Sequence, residues 1–295
     1  MTTTIGRRVR MSVVIAAVFA LATGALLLAA WSLDDTHFDR PSTEFDELGA
    51  ELESLPGVEA VEMERWVEAP TFSDPTSWMF VTVSDAGLPG LLEAACTSGY
   101  PDEITWHIRV RTPAASDVAL NASPSDPVPT ASAPSCPGFG FDAVRLTKEL
   151  DRVAPGLAVQ PSIWDKGVLA FLAMDDLDQP DAGTPTGFAD TLPLVEHADA
   201  LLTAAGRDAD EVVEVNSPDL SLMIEPGESD AYLALLTDLV HLGATAFWAD
   251  GEGTPIDGVE KVQIVAPDGR HAAIEDAIES SGLHIADLEV RFIEQ

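Results

Sequence analysis

The chain contains two cysteines, Cys96 and Cys136, and a thiol pair is its most direct means of covalent chemistry. Cys96 lies at the end of a predicted helix, and Cys136 ends a Pro-, Ala- and Ser-rich segment. In an oxidising compartment a disulfide between them would close a loop of about 40 residues and stabilise the fold by about 4 kcal/mol in the chain-entropy model. We predict this disulfide. The alternatives are two separate buried thiols or an exposed Cys136 that pairs with another molecule, and no neighbouring motif indicates a catalytic cysteine.

The densest group of carboxylates belongs to one loop, which contains Asp175, Asp176, Asp178 and Asp181. Ca²⁺ prefers oxygen ligands in flexible loops, so a calcium site is the chemistry to consider. The EF-hand spacing is not met, because Pro180 occupies a ligand position and no Glu closes the loop. We therefore predict a solvated acidic loop and no metal site.

The six histidines never occur at zinc-ligand spacing, and the chain has no H-E-x-x-H motif. His107 is the one histidine inside a predicted strand rich in Trp and Arg, so it is the one for which we consider a functional role. No G-x-S-x-G, S-x-x-K or Walker sequence is present, and Gly138-Phe139-Gly140 lacks the third glycine and preceding strand of a dinucleotide site. We predict no catalytic residue and no cofactor.

The charge balance limits the classes of partner. The chain has 15 basic and 50 acidic residues and a formal net charge of -35. A field of this sign repels nucleic acid and anionic lipid headgroups, so we predict no nucleic-acid partner. Cationic partners are compatible with it, and a high negative charge also keeps an exported protein soluble.

An uncharged apolar run at Met11–Leu33 dominates the N-terminal region. At about 1.5 Å per residue a helix of this length would span the roughly 30 Å hydrocarbon core of a bilayer. Arginines precede the run and aspartates follow it, which favours a cytoplasmic N-terminus. We predict a single-pass protein of the cell membrane, with residues 1–10 cytoplasmic, the anchor at 11–33, a stalk at 34–42 and the rest extracytoplasmic.

A cleaved secretory signal is the alternative interpretation of this run, because Ala20 and Ala22 form an A-x-A cleavage pattern. The apolar run extends beyond the usual signal core to Trp31, a residue suited to the outer membrane interface. The sequence therefore favours the anchor.

The remainder of the chain alternates helical and strand-like patterns. The predicted helices are 43–55, 88–97, 141–153, 192–205, 230–242 and 271–279. The predicted strands are 58–69, 77–83, 103–111, 157–164, 168–174, 211–216, 220–225, 245–249, 259–266 and 285–292. Residues 112–139 are dense in Pro, Ala and Ser and predict a linker.

The element order αββαβ recurs, and the openings Phe45-Asp46 and Phe141-Asp142 indicate an internal repeat. We predict an α+β protein with tandem ferredoxin-like (split βαβ) modules at 43–111, 140–216 and 217–295, built on mainly antiparallel sheets. Two larger α+β domains are the alternative. The element order is similar to that of small envelope modules such as BON and POTRA domains.

Two functions stay open. The first is a non-enzymatic envelope interaction or scaffold protein that binds a protein or cell-wall component, and the second is an extracytoplasmic ligand or ion sensor with a cleft between modules. An exposed patch of Trp66, Trp78 and Trp106 would favour binding, whereas a cleft with converging polar groups would favour the sensor or an enzyme.

Overall fold

A computed structural model describes residues 37–68, 74–126, 128, 133–164, 167–174, 187–249 and 259–293. Within these ranges there are seven α-helices and twelve strands. The helices are α1 (Thr43–Glu53), α2 (Leu88–Thr97), α3 (Ala143–Val153), α4 (Leu192–Glu196), α5 (Ala198–Ala204), α6 (Ser229–His241) and α7 (His271–Glu279). Short 3₁₀ helices occur at Phe188–Thr191, Asp268–Arg270 and His284–Asp287.

The strands follow the chain in one hydrogen-bonded series whose order is the sequence order. They are β1 (His37–Asp39), β2 (Val58–Glu68), β3 (Thr76–Ser84), β4 (Thr105–Arg111), β5 (Asp117–Ala122), β6 (Ala158–Ile163), β7 (Leu169–Met174), β8 (Val213–Ser217), β9 (Leu220–Ile224), β10 (Ala246–Ala249), β11 (Lys261–Val265) and β12 (Glu289–Phe292).

Parallel and antiparallel pairings alternate from β3 to β12. Each parallel pair, such as β3 with β4 or β9 with β10, is separated in sequence by at least one helix, because parallel neighbours need a crossover connection. In this series from β3 to β12, antiparallel neighbours have no α-helix between them in the described residues, and β8 pairs with β9 in this way.

This arrangement corrects the predicted fold class. Tandem modules with mainly antiparallel sheets are wrong, because all twelve strands belong to one mixed sheet. The segment predicted as a linker, 112–139, contains β5, which pairs with β4 on one side and β6 on the other. The predicted helix 192–205 is divided at His197 into α4 and α5.

The predicted membrane placement also needs correction. No helix in the part of the chain that the structure describes is long and apolar enough to cross a membrane. The anchor predicted at Met11–Leu33 lies outside the described residues, as does the acidic loop at 175–186. The single-pass, extracytoplasmic and envelope placement is contradicted by this finding and plays no part in the interpretation below.

The chain divides into two compact units. The first takes residues 1–42 and 64–76, and in its described part β1 pairs antiparallel with the end of β2, with Asp39 opposite Trp66. The Arg40 amide donates to the Arg65 carbonyl at 2.8 Å, and the Arg65 guanidinium donates to the Arg40 carbonyl at 2.7 Å.

The second unit takes residues 43–63 and 77–295 and holds the main core. In β3, the buried Met79, Val81 and Val83 alternate with partly exposed residues, and β4 and β5 alternate in the same way. Period-two alternation places one set of side chains on one face of a sheet. This face packs into the core together with the apolar sides of the helices, of which α3 contacts α5, and α6 contacts both α4 and α7.

Candidate functional site

The face of β3, β4 and β5 that points away from the core carries partly exposed side chains, and we call it the open face. Strand register arranges these side chains in rows. One row runs Phe80, His107 and Asn121, because Phe80 is the partner of His107 in the β3–β4 pair and His107 faces Asn121 in the β4–β5 pair. The next row runs Thr82, Arg109 and Ala119 in the same order.

A groove of about 210 Å³ lies on this face, within the second unit. It is lined by the two rows together with Ala60 and Glu62 from the first half of β2. The alanines explain the depression, because Ala60 and Ala119 are small beside Phe80 and Arg109. The groove is thus a consequence of strand register and side-chain size in four neighbouring strands.

His107 is held in the groove by aromatic neighbours and a hydrogen bond. Its ring stacks on that of Phe80, with centroids 4.6 Å apart and an angle of 11° between the planes. The ring of Trp78 is also close to it, with centroids 5.5 Å apart. Its Nδ1 lies 3.1 Å from Oδ1 of Asn121. An amide oxygen only accepts hydrogen bonds, so the ring donates from Nδ1, and Nε2 of the neutral ring is an acceptor.

That acceptor has no partner. Nε2 of His107 is buried and makes no hydrogen bond to any of the residues that the structure describes. A buried polar atom without a partner costs roughly 1–3 kcal/mol, so such atoms in native proteins call for a water or a ligand group to satisfy them. A residue that lines the groove, His107, therefore has a hydrogen-bond acceptor that no other described residue uses.

The basic groups of this region are paired with acids. Nε of Arg109 donates to Oδ2 of Asp117 at 2.6 Å, and both side chains are only about one-fifth exposed, at 21% and 19%. Nη1 of Arg111 lies 3.3 Å from a carboxylate oxygen of Glu59. Each arginine charge is thus offset by an aspartate or a glutamate.

Glu62 differs from these acids. It is exposed on β2 and takes part in no ion pair or hydrogen bond with the other described residues. Because the arginines have their own carboxylates, the net charge of the groove lining and its paired neighbours is the negative charge of Glu62.

The three tryptophans Trp66, Trp78 and Trp106 do not form the exposed patch that would have favoured binding. Trp106 is completely buried and Trp66 is 7% exposed, whereas Trp78 is partly exposed on the open face. The first two are core residues of their units. Among the three, Trp78 has its ring beside that of the groove residue His107, with centroids 5.5 Å apart.

Cys96 and Cys136 are joined as a disulfide, with their Cα atoms 4.1 Å apart. The bond fastens the end of α2 to the segment after β5. The hydroxyl of the adjacent Ser135 donates to the Ala95 carbonyl at 2.8 Å, so a hydrogen bond supports the same junction.

The other histidines do not converge on a site. Each contacts a different group of neighbours, with His37 3.4 Å from Glu68, His284 3.0 Å from Glu228 and His271 stacked on Phe292. Within the described ranges, no group of three His, Cys, Asp or Glu side chains is placed to hold a metal ion. In the same ranges, His107 is hydrogen-bonded to no hydroxyl or thiol that it could activate as a nucleophile.

Sequence reasoning identified His107 and missed its neighbours. Glu62, Phe80 and Arg109 lie in predicted strands but carried no recognised motif, and Asn121 fell in the predicted linker. The available signal was the alternation of DVALNA at 117–122, which matches the polar alternation of EITWHIRVR in the preceding strand. No family model, curated protein or solved structure matches this chain.

Proposed function

We propose that this protein is a non-enzymatic binding protein that receives a side chain of a protein partner in the open-face groove. The observation that carries the proposal is the groove itself, which combines an aromatic stack of Phe80 and His107 with an unused acceptor at Nε2 of His107. Aromatic side chains around a pocket that accepts a partner's anchor residue are typical of the energetic centre of protein interfaces.

The size of the groove favours a protein partner over a small molecule. Pockets that enclose drug-sized ligands measure roughly 300–1,000 Å³. The groove measures about 210 Å³ and is open to solvent, which suits one side chain with the rest of the partner lying on the open face. A ligand sensor with a cleft between modules has no comparable support from this groove, which four neighbouring strands of one unit form.

Charge also bears on the class of partner. The net charge of -35 opposes a nucleic acid, since electrostatic attraction to phosphates supplies most non-specific nucleic-acid binding. A protein segment of neutral or positive charge meets no such barrier.

Site-specific photocrosslinking tests the proposal. A photoreactive phenylalanine analogue would replace Phe80, a partly exposed groove residue whose aromatic ring it keeps, in the full chain produced in its own cells. The matched control places the same analogue at Glu93, an exposed position on α2. We expect a discrete protein adduct from position 80, absent from position 93 and abolished by Ala119→Met, which fills the groove.

Two results would count against the proposal. Equal adducts from positions 80 and 93 would mean that the crosslinks report collisions only. An adduct at position 80 that survives Ala119→Met would show that the groove does not take part in binding.

A further inference from the structure

The charge and the hydrogen-bonding groups of the groove indicate what kind of side chain it would bind. The inference drawn from them rests on the function proposed above. Arg109 in the lining is offset by Asp117, so the net charge of the lining together with Asp117 is that of Glu62, which makes no ion pair with another described residue. In the lining residue His107, Nε2 is a hydrogen-bond acceptor with no donor among the described residues. Both features require the same complement, a positively charged group that donates hydrogen bonds.

The aromatic rings of the groove indicate which positively charged group fits best. The stacked rings of Phe80 and His107, with Trp78 beside them, offer faces on which a planar cation can lie. A guanidinium group is planar, stacks on aromatic faces and directs several N–H donors outward, whereas an ammonium group is a compact, strongly hydrated charge. Its donors could serve the carboxylate of Glu62 and Nε2 of His107 together.

We propose that the groove is an arginine-recognition site, which binds an arginine side chain presented by an extended segment of a partner protein. Glu62 supplies the opposing charge, His107 the hydrogen-bond acceptor and Phe80 the stacking surface. Lysine fits the charge but not the stacking, so arginine binds more tightly than lysine.

Peptide selection on the intact protein tests this proposal. The full chain would be immobilised, and a library of random twelve-residue peptides displayed on phage would be selected for binding. Counter-selection would use Thr82→Trp and Ala119→Met, two variants that fill the groove, after their melting curves show that they are folded. Peptides that bind only the open groove would then be sequenced and synthesised.

We expect these peptides to share an arginine whose replacement by citrulline, its neutral isostere, weakens binding tenfold or more. We expect Lys in place of that Arg to weaken binding severalfold. Glu62→Gln in the protein should weaken binding of the parent peptides tenfold or more, since a charge-assisted hydrogen bond is lost. The control Glu93→Gln removes the same charge from α2 and should change affinity less than twofold.

The outcomes separate this inference from the proposed function. Groove-dependent peptides that lack a shared arginine, or that bind Glu62→Gln and wild type equally, would overturn the arginine site and leave the groove as a binding site. A selection that yields no groove-dependent peptide would contradict both.

Discussion

The indole nitrogen of Trp106 donates a hydrogen bond to the carbonyl oxygen of Ser135 at 3.0 Å. Trp106 is a fully buried residue of β4, and Ser135 lies beside the disulfide cysteine in the segment that returns after β5. A residue of the sheet thus satisfies the backbone of a segment whose sequence resembles a linker. This contact ties the polar-looking chain between β5 and α3 to the core.

Replacement of Trp106 tests how much this hydrogen bond contributes to the stability of the fold. Trp106→Phe removes the donor from the Ser135 carbonyl and leaves space in the core, so we expect the free energy of unfolding to fall by about 2 kcal/mol. The matched control is Trp164→Phe, because Trp164 is 40% exposed and should change stability by less than about 0.5 kcal/mol. Urea unfolding of both variants provides the measurement, and equal effects would contradict a special role for Trp106.

Loss of the disulfide should lower the stability of the fold more than Trp106→Phe does. Cys96 and Cys136 are 40 residues apart in the sequence, and the chain-entropy model assigns such a loop about 4 kcal/mol. We expect Cys96→Ser/Cys136→Ser to lose about this much stability. Addition of a reductant should lower the melting temperature of the wild type and leave that of the double variant unchanged. A wild type that is insensitive to reductant would show that the bond contributes nothing measurable.

Replacement of Thr147 by valine should raise the stability of the fold. It is 1% exposed in α3, and its hydroxyl has no hydrogen-bond partner among the residues described. Thr147→Val keeps the shape and removes the unsatisfied hydroxyl, so we expect stability to rise by about 1 kcal/mol. Thr147→Ser keeps the hydroxyl and loses a methyl group, and should lower stability by about 1 kcal/mol. Destabilisation by valine in denaturant unfolding would mean that the hydroxyl has a partner such as a buried water.

Tyr232 should make the fold sensitive to high pH. Burial, followed by the charges of Glu228 and Glu225, raises the pKa of the Tyr232 phenol well above its usual value of 10.0. Below pH 10 the phenol is neutral in both states and stability is unaffected. Above pH 10 the unfolded chain releases a proton that the folded chain retains, so stability should fall with rising pH, by at most about 1.4 kcal/mol per pH unit.

The variant Tyr232→Phe isolates this contribution. Its free energy of unfolding should depend less on pH above 10 than that of the wild type, and Tyr100→Phe, which keeps Tyr232, should resemble the wild type. Parallel curves for Tyr232→Phe and wild type between pH 9 and 11 would show that Tyr232 does not titrate on unfolding.

The sequence predicted individual elements well because their signals are local. Helix α2 has the predicted bounds, 88–97, where Pro89 suits the first turn and Gly99 follows the end with a positive φ of 72°. Helix α7 likewise has the predicted bounds, 271–279. In both segments, apolar spacing and end signals lie within a few residues of each other.

The assembly of these elements could not be predicted in the same way. The pairing of Phe80 with His107 depends on a parallel crossover through α2, and no local pattern distinguishes that neighbour from an antiparallel one. Strand β5 was missed because its short alternation is surrounded by Pro- and Ser-rich sequence, although β4 supplies its backbone partners. The groove could not be predicted for the same reason, because only the strand order shows that Glu62, His107 and Asn121 line one groove.

Sequential strand order has a consequence for how the chain reaches its native state. From β3 to β12 every strand pairs with its neighbours along the chain, so no pairing skips over another strand. Local pairings of this kind lower the relative contact order and favour fast folding, and in repeat proteins they let structure begin at one site and spread to the next. We expect refolding that is fast for so large a sheet, with amide protection that grows outward from one group of adjacent strands. Pulsed hydrogen exchange during refolding would record this, and protection that appears at once in all strands would contradict it.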